Sequence, residues 1–316
     1  MWSKRLLGLD PQPVSGHVFA VDGQRVRYAY FAGDVGDLEC REFHSQPLAE
    51  GTFQDGPLGG PVRDVEAFVT NLKSLLERIP QRPAEMSLVL PDEWLRVTFA
   101  ELGSLPRGAN REDVLRFKLK RLVPYRVEDL RLAEAEVPAL TGSESGRRFL
   151  LGFGNASLLT QIETAFEGLG VTAGHLSNEG LSVLPALAPI LKGALAGVVY
   201  VTETSYTLIV TQDARPTLHR FKVLAADDAA RGRLVPRDLR LTRSYVRQEV
   251  KGRRLGELIL IAPQSESGRW KAWLEDAFEH PVRSLSEEQP ELPGTVTGVP
   301  SWESAPLLGA ASRGIE

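Results

Sequence analysis

The sequence predicts an α/β fold with two lobes, one of which carries an inserted subdomain. The chain has 316 residues, roughly twice the length of a typical domain. Strand-like and helical segments alternate along it, and a β-hairpin followed by a helix occurs once in each half. With 42% apolar and 25% charged residues, the composition supplies a core and excludes a disordered chain or a disulfide-stapled miniprotein.

Net charge and cysteine content exclude further classes of protein. The formal charge of −4 at pH 7 gives no overall attraction to nucleic acid or to anionic lipid. The single cysteine, Cys40, cannot form a disulfide bond within the chain, which favours a reducing compartment. The apolar run at residues 6–9 stops at Asp10 and is too short for a signal peptide. We therefore expect a cytoplasmic protein.

Residues 1–91 are expected to form the first half of lobe I. Asp22 and Gly23 separate two β-rich runs and favour the tight turn of a hairpin, because both residues tolerate positive φ. Asp64 is the predicted N-cap of an amphipathic helix that ends at Pro80. A buried strand is expected next, at residues 86–90.

Residues 92–178 are predicted to form the inserted subdomain, with the element order strand, helix, two strands, helix and strand. The run Gly152-Phe153-Gly154-Asn155-Ala156-Ser157 lies between a strand and a helix, as a phosphate-binding turn would. Ser157 stands where the third glycine of such a turn is expected. We therefore favour the simpler interpretation that Asn155 or Ser157 caps the helix.

Residues 179–285 are assigned to lobe II, and residues 286–316 to a Pro/Gly-rich tail with a terminal helix that returns to lobe I. The apolar stretch at residues 181–201 is long enough to cross a bilayer. It contains Pro185 and Pro189, however, and therefore predicts a buried helix followed by a buried strand.

The strongest local charge lies in residues 231–254, where nine Lys and Arg face two Asp and Glu. A helix predicted over residues 236–250 and its continuation place six basic side chains in one stripe. They are Arg237, Arg240, Arg243, Arg247, Lys251 and Arg254. A solvated helix face explains this stripe, and so does a contact with an acidic partner or an anionic membrane.

The order and spacing of several short runs resemble the PilM family of actin-like type IV pilus assembly proteins and the related GspL cytoplasmic domains of type II secretion. The most specific run is LVPYRVEDL at residues 122–130, ahead of a predicted strand. Weaker likenesses occur at residues 47–51, 89–91, 105–106, 165–170, 239–246 and 307–311.

The resemblance implies an actin-like fold of the ribonuclease H and hexokinase type, with two lobes and a small α+β subdomain inserted in the first. It implies a cytoplasmic scaffold, peripheral at the inner membrane, that binds the N-terminal tail of a bitopic PilN-like partner. Two further interactions are possible, one with a pilus or secretion ATPase and one between copies of this chain. No nucleic acid is expected as a partner. The residues expected to contact the tail are Trp94, Val97, Phe99, Leu122, Pro124 and Tyr125.

Three turns that hold ATP in nucleotide-binding members of the family are altered here. The first hairpin has a shortened turn at Asp22 and Gly23, and the second has Glu203 but no glycine. The third turn has Pro263, which lacks an N–H, in place of a glycine pair. The prediction is a non-enzymatic protein without a cofactor. The alternative is an actin-like ATPase with Mg·ATP held by Asp22, Gly23 and Glu203.

Overall fold

The computed structural model of the chain describes residues 15–33, 38–54, 60–103, 108, 110–137, 147–191, 193, 195–249, 255–285 and 299–312. In chain order the elements are β1 (His17–Val21), β2 (Arg25–Ala32), β3 (Glu39–Pro47), α1 (Val65–Leu76), β4 (Glu85–Leu90), β5 (Leu95–Leu102), α2 (Arg111–Leu119), β6 (Leu130–Val137), β7 (Arg147–Asn155), α3 (Ala156–Glu167), β8 (Thr172–Asn178), α4 (Glu179–Leu191), β9 (Leu195–Val201), β10 (Ser205–Gln212), β11 (Arg215–Val223), α5 (Asp228–Glu249), β12 (Glu257–Ile261), α6 (Gln264–Phe278), β13 (Arg283–Leu285) and α7 (Ser301–Ala311).

Lobe I is built on a five-stranded sheet with the order β3-β2-β1-β4-β8. Its first three strands form an antiparallel meander, whereas β4 pairs with β1, and β8 with β4, in parallel. The predicted turn joins β1 to β2: the Asp22 carboxylate accepts hydrogen bonds from the N–H groups of Gln24 and Arg25, at 2.8 and 2.9 Å. The Asp64 carboxylate caps α1 by accepting from the N–H of Ala67.

Lobe II repeats this arrangement in a second sheet, with the order β11-β10-β9-β12-β13. Again three strands form an antiparallel meander and two strands are added in parallel. Two sheets with the same mixed topology, one in each lobe, form the architecture of the actin-like fold. The predicted fold class is therefore confirmed.

The insertion is a three-stranded antiparallel sheet, β5-β7-β6, which α2 covers on one face. Its predicted end at residue 178 is wrong, because β8 pairs in parallel with β4 and is the edge strand of the lobe I sheet. The helix α3 likewise contacts α1 of lobe I and leads the chain back to β8. A short strand after a helix has the same sequence pattern whichever sheet it joins, so the pattern could not place this one.

One predicted helix boundary also differs from the structure. The helix α5 begins at Asp228 rather than near Pro236, because the Asp227 carboxylate caps it by accepting from the N–H of Ala230 at 2.6 Å. Pro236 thus lies inside the helix.

The apolar segment 181–191 forms most of α4, which contacts β8 of lobe I and β9 and β10 of lobe II. The terminal helix α7 packs on α4 and also contacts β1 and β4. Gly309 permits this contact, since a Cβ atom there would lie 1.6 Å from the main-chain oxygen of Ser182. Within the described residues, none of the helices has the length and apolar character needed to span a bilayer.

Candidate functional site

A cavity of about 520 Å³ opens where the β1–β2 turn of lobe I faces the β9–β10 turn of lobe II. Residues 48–54 and 91–94 of lobe I complete its wall, together with Glu179 of α4 and Trp302 of α7. All three residues predicted for the ATP alternative, Asp22, Gly23 and Glu203, line this cavity. The fold therefore brings together the two turns that the ATP alternative requires in one site.

Arg27 of β2 is the central cation of this cavity, and its side chain is only 3% exposed. Its Nη2 atom lies 3.2 Å from Asp22 Oδ2 and 2.9 Å from Glu179 Oε1. Its Nη1 atom donates a hydrogen bond of 3.4 Å to the main-chain oxygen of Glu303. One guanidinium group thus joins β2, α4 and α7. Sequence reasoning missed Arg27, because a single arginine within a strand has no spacing that indicates its partners.

The charges around Arg27 stabilise each other against the cost of burial. Burial alone lowers the pKa of Arg27, but the carboxylates of Glu179 and Asp22 raise that pKa above its usual value. Burial raises the pKa of Glu179 to about 7, and the positive charge of Arg27 opposes this shift. The group is a buried ion pair rather than an open ligand site.

These residues do not fit a magnesium nucleotide. Magnesium requires carboxylate oxygens that are free to bind the ion or its water ligands, and both Asp22 and Glu179 instead accept hydrogen bonds from Arg27. In the opposite turn, the Thr202 hydroxyl accepts from the N–H of Ser205 at 3.1 Å. Pro263 precedes α6 and has no N–H to offer a phosphate. No cluster of three or more His, Cys, Asp or Glu suited to a metal ion occurs in the described part of the chain.

The structure divides the residues predicted to contact a partner tail into two groups. Trp94 and Val97 are each 5% exposed, so they have almost no surface for a partner. Trp94 instead packs on Phe53, with ring centroids 4.6 Å apart, and borders the cavity. The other four reach the surface to different extents: Leu122 and Pro124 are exposed, and Phe99 and Tyr125 are half-buried. The alternation of residues along β5 could not reveal that Val97 on this strand, and Trp94 just before it, face the core.

Arg96 connects the exposed group to lobe II. Its Nη1 atom donates to the main-chain oxygen of Leu122 at 2.6 Å. Its guanidinium lies 5.4 Å from the ring centroid of Phe221 on β11 and 5.8 Å from that of Phe153. Burial raises the pKa of Tyr125 to about 12, and the charge of Arg96 opposes this shift. The segment 122–125 is therefore held beside the seam between the insertion and lobe II.

The predicted basic stripe on α5 is partly neutralised by α6. Arg240 lies 3.1 Å from Asp276, and Arg243 and Arg247 both contact Glu279. Arg237 is exposed and has no ion pair within the described ranges. Lys251 and Arg254 lie outside the described residues. The pairing favours the interpretation of this stripe as a solvated helix face.

The glycine-rich run before α3 has a structural explanation. The Asn155 side chain accepts hydrogen bonds from the N–H groups of Ser157 and Leu158, at 2.9 and 3.2 Å, as the helix-cap interpretation predicts. A Cβ atom at position 154 would lie 2.4 Å from the main-chain oxygen of Trp94, so Gly154 allows β5 and β7 to approach each other.

Comparison with known proteins yields matches only among solved structures, since no protein-family model and no curated protein matches the chain. A chain of a PilM-PilN type IV pilus biogenesis complex is similar with a TM-score of 0.71 and 17% identity, over 96% of this chain and 100% of that chain. A Bacteroides thetaiotaomicron protein with an actin-like ATPase fold is similar with a TM-score of 0.48 and 10% identity, over 85% of this chain and 90% of that one. The cytoplasmic domain of EpsL, an inner membrane component of the type II secretion system of Vibrio cholerae, is similar with a TM-score of 0.46 and 13% identity, over 93% of each chain.

The similarity to the PilM-PilN complex covers both lobes and the insertion. At 17% identity it establishes the fold and leaves the function to be argued from the site. Within this chain, the two five-stranded sheets have the same strand order. The chain therefore has the actin-like fold seen in the PilM-PilN complex.

Proposed function

We propose that this protein is a non-enzymatic scaffold of a type IV pilus or type II secretion assembly, cytoplasmic and peripheral at the inner membrane, that binds the N-terminal tail of a PilN-like bitopic partner. The non-enzymatic part of this proposal is based on the ion pairs that Arg27 forms with Asp22 and Glu179 inside the cavity. The fold shared with a PilM-PilN complex supports the assembly part.

The ion pair argues against a catalytic nucleotide site on energetic grounds. To bind Mg²⁺, Asp22 would have to exchange its contact with Arg27 for the metal. The guanidinium would then remain buried with Glu179 as its main partner, and a buried charge that loses a partner destabilises the protein. A scaffold without ATP or another cofactor is consistent with this cost.

We propose that the partner tail binds to the exposed part of the predicted tail site. Leu122 and Pro124 present apolar surface beside Tyr125, and Arg96 fixes the main chain of this segment. An extended peptide would lie along it, next to Phe99 and the seam with β11. Trp94 and Val97 would support the site from beneath.

Calorimetry with Mg·ATP and Mg·ADP tests the non-enzymatic part. We expect no binding heat from the intact chain at concentrations where an actin-like ATPase, measured in the same buffer, saturates. Micromolar affinity for either nucleotide, or release of phosphate from ATP by the purified chain, would overturn this part of the proposal.

The tail site is tested with a fluorescent synthetic peptide that carries the N-terminal cytoplasmic segment of the PilN-like protein from the source organism. Binding to the wild-type chain is followed by anisotropy. Tyr125→Ala combined with Pro124→Ala is expected to weaken binding by about tenfold or more, as for an interface hot spot. Arg237→Glu, on exposed α5, is the matched control. Full binding by the double variant would refute the location, and no binding by the wild type would refute the partner.

A further inference from the structure

Phe117 is an apolar side chain in an unusual place, since it is 73% exposed on α2. Leu115 and Leu119 of the same helix are buried against the sheet of the insertion. With 3.6 residues per turn, Phe117 lies on the side of the helix opposite to both. Leu122, in the turn that follows the helix, is 40% exposed. A large apolar surface therefore projects outward at this end of α2.

The same region has an excess of positive charge. Residues 117–126 contain four Lys and Arg and no Asp or Glu, and the remaining residues carry a formal charge of −8, since the whole chain carries −4. Lys118, Lys120 and Arg121 are exposed and form no ion pair within the part of the chain that the structure describes. Arg126 lies 3.4 Å from Glu128. Among the described residues, three of these four positive charges thus form no ion pair.

We propose that residues 117–122, which we call the α2 corner, bind the surface of an anionic lipid bilayer. Phe117 and Leu122 would enter the boundary between head groups and acyl chains, and Lys118, Lys120 and Arg121 would contact anionic head groups. The long apolar stems of the basic side chains suit this boundary as well.

Lipid fits the α2 corner better than the other anionic partners. A nucleic acid would satisfy the basic side chains through its phosphates, but its backbone offers no apolar surface to Leu122. An acidic polypeptide would need a groove to cover Phe117, and this side chain stands on the outer side of its helix.

This inference goes beyond the proposed function, because contact with lipid requires no partner tail. Leu122 belongs to both surfaces, and the experiments therefore use residues that belong to only one. Phe117, Lys120 and Arg121 test the lipid contact, whereas Pro124 and Tyr125 test the tail, which is measured without vesicles. The results therefore distinguish a failure of the lipid proposal from a failure of the tail proposal.

Co-sedimentation of the full chain with vesicles tests the lipid contact. Vesicles of phosphatidylcholine mixed with phosphatidylglycerol are expected to retain the protein at low salt and to release it as NaCl is added, whereas pure phosphatidylcholine vesicles should not retain it. Phe117→Ser should lower the partition coefficient by about tenfold, and Lys120→Glu with Arg121→Glu by more. These side chains are exposed, so unchanged thermal melting will show that the variants fold.

Arg233→Glu with Arg237→Glu is the matched control, since it reverses two exposed charges on α5. We expect it to bind the mixed vesicles as the wild type does. Absence of wild-type binding, full binding by the α2 corner variants, or an equal loss in the α5 control would overturn the proposal. Binding to DNA or polyglutamate through the α2 corner, without retention on vesicles, would also overturn it.

Discussion

Asp92 accepts a hydrogen bond of 2.9 Å from the hydroxyl of Thr207 in the interior of the protein. Asp92 follows β4 of lobe I, and Thr207 lies on β10 of lobe II. The same carboxylate accepts from the Asn178 side chain at 2.9 Å and from the N–H of Gly180 at 2.7 Å, and the His219 ring lies 3.6 Å away. One buried carboxylate therefore connects the two lobes to each other.

We expect Asp92→Ala to destabilise the fold by about 3 kcal/mol, because it leaves three buried donors without an acceptor. Urea denaturation of the purified chain measures this loss. Thr207→Val is the matched control, since it removes a single donor and should cost about 1 kcal/mol. Equal stability of the Asp92 variant and the wild type would show that water replaces the carboxylate.

Arg27→Ala should destabilise the protein by roughly 3–5 kcal/mol, because Asp22 and Glu179 lose their shared cation while Glu179 stays buried. Arg25→Ala is the control: Arg25 is more exposed and its ion pairs with Asp22 and Glu303 should contribute about 1 kcal/mol or less. Chemical denaturation of both variants gives the comparison. Similar losses of stability in the two variants would show that burial does not increase the contribution of Arg27.

His175 is expected to make the fold sensitive to acid. Both of its ring nitrogens are buried and have no hydrogen-bond partner among the residues that the structure describes, and burial lowers its pKa to about 4. The unfolded chain takes up this proton near pH 6.5 and the folded chain only near pH 4, so the stabilising contribution is present above pH 6.5 and is lost as the pH falls toward 4.

As the pH falls from 6.5 to 4, the free energy of unfolding of His175→Phe should therefore rise by about 3 kcal/mol relative to that of the wild type. Glu179, with its raised pKa, acts in the opposite direction between its unfolded value and about 7, and it is common to both proteins. The measured quantity is thus the difference between the two stability profiles. A difference that does not change with pH would contradict the prediction.

Gly309→Ala should prevent α7 from packing on α4, since the new Cβ would lie 1.6 Å from the Ser182 oxygen. We expect a loss of about 3 kcal/mol or more in thermal or urea denaturation. Gly268→Ala in α6 is the matched control, because no described atom outside its own helix backbone and chain neighbours lies within 4 Å of its Cβ position. That change should stabilise the protein by about 1 kcal/mol. Equal effects at the two glycines would contradict the packing of α7.

The features that the sequence predicted correctly depend on neighbouring residues. The Asp22 turn, the Asp64 cap and the Asn155 cap each arise within four residues of chain, so the residue type is enough to recognise them. The repeated hairpin and helix likewise indicated two lobes. Short-range chemistry of this kind identifies elements and their order.

The features that the sequence did not reveal depend on distant residues. Arg27 meets Glu179 across 152 positions, and neither residue belongs to a recognisable motif. Residues on β8 gave no signal for the sheet they join, and Trp94 gave none for its burial. Only the family likeness therefore indicates the ATP residues and the tail residues. The structure was needed to show that Arg27 occupies the first site and that only part of the second reaches the surface.

The packing of α7 has a consequence for the order in which the protein folds. The contact between Arg27 and Glu303 joins residues 276 positions apart, and the apolar surface of α4 is covered by α7. On the ribosome, β1 and β2 emerge long before the helix that completes their lobe. Lobe I would thus remain incomplete, with α4 uncovered, until almost the whole chain has been translated. A fragment that stops after β13 should aggregate instead of folding as two finished lobes.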